Sequence, residues 1–262
     1  MKPELFIGSS VEGLSVVNAL TEKLHHRFNI TSWDSGVFNI SGNTLDDLLI
    51  QLKKSDFAIF VFTPDDKSII RETEHSTVRD NVLYELGLYT GKLGRKNTFY
   101  LKPDKMPSDF HLPTDLIGVT AGSYDSTRTD NLVAALSPFC SQLQRQIFDP
   151  ENYFLSGKWN FNWSVESETY PKENKENAFI FHYSNTIKGQ YTGTDDLTYI
   201  FKGEIKGQYI EGFWSNKLGG ATYHGTFHIK IEPSTKILKG VWTGWSNQGI
   251  VKAGECVWTK LP

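Results

Sequence analysis

The 262-residue sequence predicts an α/β parallel-sheet domain followed by an all-β antiparallel barrel of about eight strands. Up to about residue 149, short apolar runs alternate with segments of helical period, as in a parallel sheet with crossover helices. One of these runs, F-A-I-F-V-F at 57–62, is continuously apolar, as a central strand covered on both faces must be. From Gly157 onward aromatic residues and glycines become frequent, and the pattern turns into strands separated by turns. The expected domains are therefore 1–149 and 157–262, with residues 150–156 as the linker.

In the first domain, residues 5–7 form a short apolar strand that runs into Gly8-Ser9-Ser10, and 12–28 is helical. Residues 29–33 make a second strand, 44–55 a helix, 57–62 the central strand, 78–93 a helix, 98–101 a fourth strand and 130–148 a closing helix of clear period. In the second domain strands begin near Lys158, Ala178, Thr186, Leu197, Gln208, Thr222, Lys236 and Gly249. Turn chemistry at 194–196, 217–220, 232–235 and 246–249 separates them.

Composition excludes several function classes. Hydrophobic residues are 39% and charged residues 22%, an ordinary globular balance. A formal net charge of −3 gives no electrostatic case for sliding on DNA or gripping an anionic membrane. Cys140 and Cys256 have no metal or redox spacing, and the first residues lack the apolar run of a signal peptide. No stretch approaches the length of a membrane span, so a cytoplasmic location is expected.

The helix at 78–93 carries the first chemical signal. At about 100° per residue, Val78, Val82, Leu86, Tyr89 and Leu93 form one apolar stripe, and Glu85 lies on its edge. A surface glutamate belongs on the opposite face, so Glu85 is expected in a cleft, with a structural ion pair as the alternative. Arg79, Asp80 and Asn81, one to two turns earlier, are candidates for further polar contacts or a solvated helix start. Gly8-Ser9-Ser10, between strand and helix, is a place for backbone N–H groups and hydroxyls to hold a phosphate or ribose. Gly8 and Gly13 mimic the spacing of a triphosphate-binding loop, but Leu14 stands where its lysine belongs. Thr63-Pro64-Asp65-Asp66 follows the central strand on the side where open α/β sheets bind ligands, although an acidic turn reads the same way.

Four ordered motifs carry a resemblance: F-I-G-S-S at 6–10, W-D-S-G-V-F at 33–38, D-F-A-I-F-V-F-T-P-D-D at 56–66 and R-D-N-V-L-Y-E-L-G-L-Y at 79–89. Over about residues 4–145 they resemble the prokaryotic TIR-like domains of antiphage effectors, such as the TIR half of bacterial TIR-STING fusions. The resemblance implies a flavodoxin-like sheet and an NAD⁺ glycohydrolase with Glu85 as its essential acidic residue. It further implies nucleotide contacts from Phe6, Ser9, Trp33, Phe38, Asp65 and Asp66. NAD⁺ would be the substrate, with no cofactor and no metal required.

One carboxylate suits that chemistry. An ordinary glycosidase must protonate a neutral alcohol leaving group and so needs two carboxyls. Nicotinamide leaves from a positively charged ring and needs no general acid, so a single anion beside the ribose can hold its hydroxyls and stabilise developing positive charge. Trp33 or Phe38 could stack on a planar ring.

The second domain reads as a binding module. Trp159, Trp163, Trp214, Trp242, Trp245 and Trp258 all lie there, as core or as the wall of a ligand cavity. His224 and His228 share a strand face but have no third partner for a metal. G-V-W-T-G-W at 240–245, with G-K-W at 157 and G-F-W at 212, resembles the small β-barrel sensors of cyclic-oligonucleotide antiphage systems. Lipocalin-like and avidin-like barrels have comparable patterns. The resemblance implies a cyclic di- or trinucleotide activator and self-association into oligomers or filaments, with Trp242, Trp245 and Lys239 nominated as ligand contacts. Two alternatives stay open: a nucleoside N-glycosyl hydrolase or transferase, and a noncatalytic TIR adaptor with a protein-binding barrel.

Overall fold

The computed structural model describes residues 2–35, 44–117, 121–149, 154–165, 173–216, 223–245 and 249–262. The chain divides into two compact units, residues 2–146 and 147–262.

The first unit runs β1 (Glu4–Gly8), a 3₁₀ turn (Val11–Gly13), α1 (Leu14–Leu24), β2 (Asn29–Ser32), α2 (Thr44–Lys54) and β3 (Phe57–Val61). It continues with β4 (Asp66–Ile70), β5 (Thr73–Thr77), α3 (Asp80–Leu93), β6 (Thr98–Pro103), α4 (Thr114–Ile117), β7 (Gly122–Tyr124) and α5 (Leu132–Ile147). Five strands form a parallel sheet in the order β2-β1-β3-β6-β7, a flavodoxin-like arrangement. Every residue of β3 is buried, because helices cover both faces of the sheet centre. Strands β1 and β3 lie side by side, with Gly8 opposite Phe60. The chain leaves them in opposite directions across the sheet, so the crevice at their C-terminal ends is the switch point where such folds bind ligands.

Two details differ from the sequence reading. The acidic turn at 63–66 is the approach to an antiparallel hairpin, β4 on β5, in which Asp66 pairs with Thr77. Its tip has Arg71 and Glu72 at φ 49° and 68°, a primed turn made without the Gly or Asn that announces one. Phe6 is fully buried, stacked on Tyr89 at 4.7 Å and tilted against Phe60 at 6.0 Å, so its ring is part of the core.

The second unit is a closed barrel of β8 (Gly157–Ser164), β9 (Glu173–Tyr183), β10 (Thr186–Thr192), β11 (Thr198–Lys206), β12 (Tyr209–Asn216), β13 (His224–Ile231), β14 (Ile237–Trp245) and β15 (Val251–Lys260). Each strand pairs antiparallel with its sequence neighbours, and β15 closes on β8 through pairs such as Trp258 with Phe161. Closure leaves no edge strand, which removes the pairing hazard of an open sheet. Inward and outward residues alternate, most plainly along β13. His224 and His228 are therefore both outward and exposed. The interior packs Trp159, Phe161, Phe201, Phe227 and Trp258 into one cluster, with Phe161 stacked on Trp258 at 3.9 Å.

Candidate active site and barrel cavity

Glu85 sits in the middle of α3, whose Val82, Leu86 and Tyr89 are buried against the sheet. Its carboxylate reaches the C-terminal end of β1. Gly8 has no side chain there, and a β-carbon would lie 3.2 Å from Glu85 Oε2 and 2.6 Å from Phe60 Cε1. The glycine thus makes the room into which the carboxylate projects. No ion pair or hydrogen bond engages Glu85 among the described residues, and burial alone pushes its pKa up to about 7. Burial, reinforced by the charge of Glu85, also raises the pKa of the Tyr89 phenol one turn on.

Beside this carboxylate, the ends of β1 and β3 are tied by a hydroxyl–carboxylate cluster. Ser10 and Thr63 each donate to Asp65 Oδ2 at 2.5 Å, and the two hydroxyls lie 3.0 Å apart. Trp33 is anchored twice: its backbone N–H donates to the Ile7 carbonyl at 3.0 Å and its indole to Ser9 Oγ at 2.9 Å. Ser9 in turn donates to the Ser10 carbonyl at 2.8 Å.

The structure therefore brings Glu85, Ser9, Trp33 and Asp65 to one end of the sheet. Ser9 is buried, and its hydroxyl donates to the Ser10 carbonyl and accepts from the Trp33 indole, so it orients Trp33. Asp66 belongs to the hairpin. Arg79 and Asn81 lie exposed at the start of α3, where the Arg79 carbonyl accepts from the N–H groups of Val82 and Leu83. Neither is drawn into the cluster around Glu85. Phe38 lies outside the described residues. Ser10 and Thr63 lay in two segments marked from the sequence as ligand-facing but were not nominated individually; the signal for pairing them was a small hydroxyl close after each of two strands that prove adjacent.

The barrel encloses a cavity of about 130 Å³. Trp163, Trp214, Trp242, Tyr191 and Tyr199 form much of its wall. Gly244 admits the Trp214 ring, since a β-carbon there would lie 2.3 Å from Trp214 Cζ2. Three wall indoles have internal acceptors: Trp163 donates to Glu176 Oε2 at 2.5 Å, Trp214 to the Thr243 carbonyl at 3.2 Å and Trp242 to the Ser164 carbonyl at 3.1 Å. These three tryptophans thus offer ring faces, not donors. Trp242 points inward and lines the cavity, whereas Trp245, on the outward parity of β14 and stacked on His224 at 5.5 Å, borders it from an exposed position, and Lys239 is exposed on the outward face between inward Leu238 and Gly240. Among the described residues the lysine on the cavity lining is Lys252.

Among the described residues no cluster of three or more His, Cys, Asp or Glu could hold a metal ion, and no helix is long and apolar enough to cross a membrane.

Residues 4–126 match the family model described as the TIR domain of CAP12/Pycsar effector protein. The chain is 44% identical over 147 residues to the Pycsar effector protein PaPycTIR of Pseudomonas aeruginosa, covering 55% of this chain and 47% of that one. It is 40% identical over 144 residues to XpPycTIR of Xanthomonas perforans, covering 55% and 47%. To CD-NTase-associated protein 12 of Niabella drilacis it is 39% identical over 163 residues, covering 60% and 50%. The chain spans about half the length of these relatives.

Proposed function

We propose, from the premise that residues 4–126 match the TIR domain of CAP12/Pycsar effectors, that this chain is an NAD⁺ glycohydrolase effector of bacterial antiphage defence. The observation that carries the reading is the unpaired, partly buried carboxylate of Glu85 over Gly8, at the switch point of the sheet. In the proposed reaction the bond between ribose C1′ and the nicotinamide nitrogen breaks, and its electron pair neutralises the departing pyridinium. Positive charge develops on the ribose, and the Glu85 anion, in a site of low dielectric, stabilises it. Water then adds to C1′ and gives up a proton, leaving ADP-ribose. Trp33, held by Ser9 and Ile7, supplies an apolar wall, and the Ser10–Thr63–Asp65 cluster keeps β1 and β3 in the spacing that aims Glu85.

The barrel is the proposed regulator, taking a cyclic di- or trinucleotide and favouring a self-associated, active state. A preference of a few kcal/mol for that state suffices to shift its population strongly. The test is nicotinamide release from NAD⁺ by purified protein, with and without a panel of cyclic di- and trinucleotides, beside Glu85→Gln. Turnover that depends on one panel member and is lost in Glu85→Gln supports the reading. Turnover retained by Glu85→Gln, or none under any condition including forced self-association, overturns it in favour of an adaptor.

A further inference from the structure

The barrel cavity holds a carboxylate that the proposed catalysis does not use. Glu176 belongs to β9, where inward residues alternate with outward ones, and the closed register places it inside the barrel, where it lines the cavity. It is 5% exposed. Oε2 takes the indole N–H of Trp163, while Oε1 is buried with no hydrogen-bond partner. An isolated buried acceptor of this kind is unfavourable when left without a donor, so it is a recognition point for a donor brought by a ligand.

The surroundings narrow that ligand. The indole N–H groups of Trp163, Trp214 and Trp242 are already engaged, so these three present ring faces, which suit a flat ring. Among the described residues, the charged groups on the lining are two carboxylates, Glu176 and Asp195, and one amine, Lys252. Asp195 is engaged by the Tyr199 hydroxyl at 2.7 Å and the Leu197 N–H at 3.2 Å, whereas Glu176 retains an open oxygen. At about 130 Å³ the cavity is on the scale of one ring system.

We propose that the barrel interior is a single-base site, in which a planar nitrogen heterocycle inserts among Trp163, Trp214 and Trp242 and presents two adjacent N–H donors to Glu176, as the Watson–Crick edge of guanine does. Phosphates of the same ligand remain outside the aromatic chamber. This deepens the sensor reading and rests on it for its biological role, but the chemistry of the site stands separately.

Binding is read on the full chain by quenching of tryptophan fluorescence and by calorimetry, in the absence of NAD⁺. The probes are guanosine, inosine, which lacks the exocyclic amine, and adenosine, which lacks the paired donors. Guanosine is expected to bind tenfold or more tightly than adenosine, with inosine between, because a buried acceptor left unfilled penalises the wrong base. Glu176→Gln is expected to weaken guanosine by at least tenfold without lowering the melting temperature. Adenosine equal to guanosine, no binding by any of the three, or a folded Glu176→Gln that binds guanosine unchanged would each overturn the proposal. The wild-type series needs no variant, so a misfolded mutant does not weaken the test. An adenine-only cyclic nucleotide that activates NAD⁺ cleavage removes this site assignment and leaves the sensor reading intact. Guanosine binding with no activation by any guanine-containing cyclic nucleotide does the reverse.

Discussion

Replacing Glu85 by glutamine is expected to abolish nicotinamide release and, at the same time, to stabilise the first unit above neutral pH. A catalytic carboxylate held without a partner in a cleft is a strained design. Burial moves the Glu85 pKa from 4.5 to about 7, and each unit of pKa is about 1.4 kcal/mol, so ionising it in the folded state costs up to about 3 kcal/mol. Between those two values the folded chain holds the proton more tightly than the unfolded chain. Stability is therefore greatest below about pH 4.5 and declines as pH rises through about 7. Glutamine removes the ionisation and with it the decline. At about 2–4 °C per kcal/mol for domains of this size, the variant should melt up to about 10 °C higher than wild type at pH 8, with the difference shrinking toward pH 4. Calorimetry at pH 5 and pH 8, paired with a nicotinamide assay of the same samples, measures both effects. A variant that is inactive but melts no higher than wild type at pH 8, or whose advantage is the same at both pH values, would refute the account of Glu85 as an unpaired buried anion.

The same titration predicts the pH profile: if the anion does the chemistry, kcat/KM for NAD⁺ should rise as pH increases through about 7 and level off above it, as initial rates across pH 5.5–8.5 would show. Gly8→Ala places a methyl 2.6 Å from Phe60 Cε1 and 3.2 Å from Glu85 Oε2; a loss of about 1–3 kcal/mol in denaturant titration and a large fall in kcat are expected. Asp65→Ala takes the shared acceptor from Ser10 and Thr63, so chemical denaturation should show a loss of about 1–3 kcal/mol. Trp33→Phe keeps a ring but drops the indole donor to Ser9; about 1 kcal/mol of stability should be lost and KM for NAD⁺ should rise, with kcat less affected.

Much of this protein was legible in the sequence because the relevant signals are local. A helix repeats every 3.6 residues, so Glu85 could be placed on the edge of the Val82–Leu86–Tyr89 stripe by counting alone, and the structure puts it there. The continuously apolar run at 57–62 marked the buried central strand, and turn chemistry marked most of the barrel's corners. What the sequence left open were facts about pairing. Phe6 and Ser9 flank Gly8 in one motif, but only the packing of α3 and the reach of Trp33 decide that one is core and the other is consumed in a hydrogen bond. The hairpin of β4 and β5 escaped notice because Arg71 and Glu72 adopt left-handed backbone without a turn residue to signal it. In the barrel a shift of one residue exchanges inside for outside, which put Lys239 in solvent from within an apolar run and Glu176 in the cavity from within a polar one. The Glu176–Trp163 bond and the open oxygen beside it follow from the register of β8 on β9. Sequence alone thus determined the two kinds of fold and the acidic residue at the first site, because periodicity is written along the chain. Only the tertiary structure decided which polar atoms are paired and which are left open, because partners are chosen across strands that the chain order does not bring together.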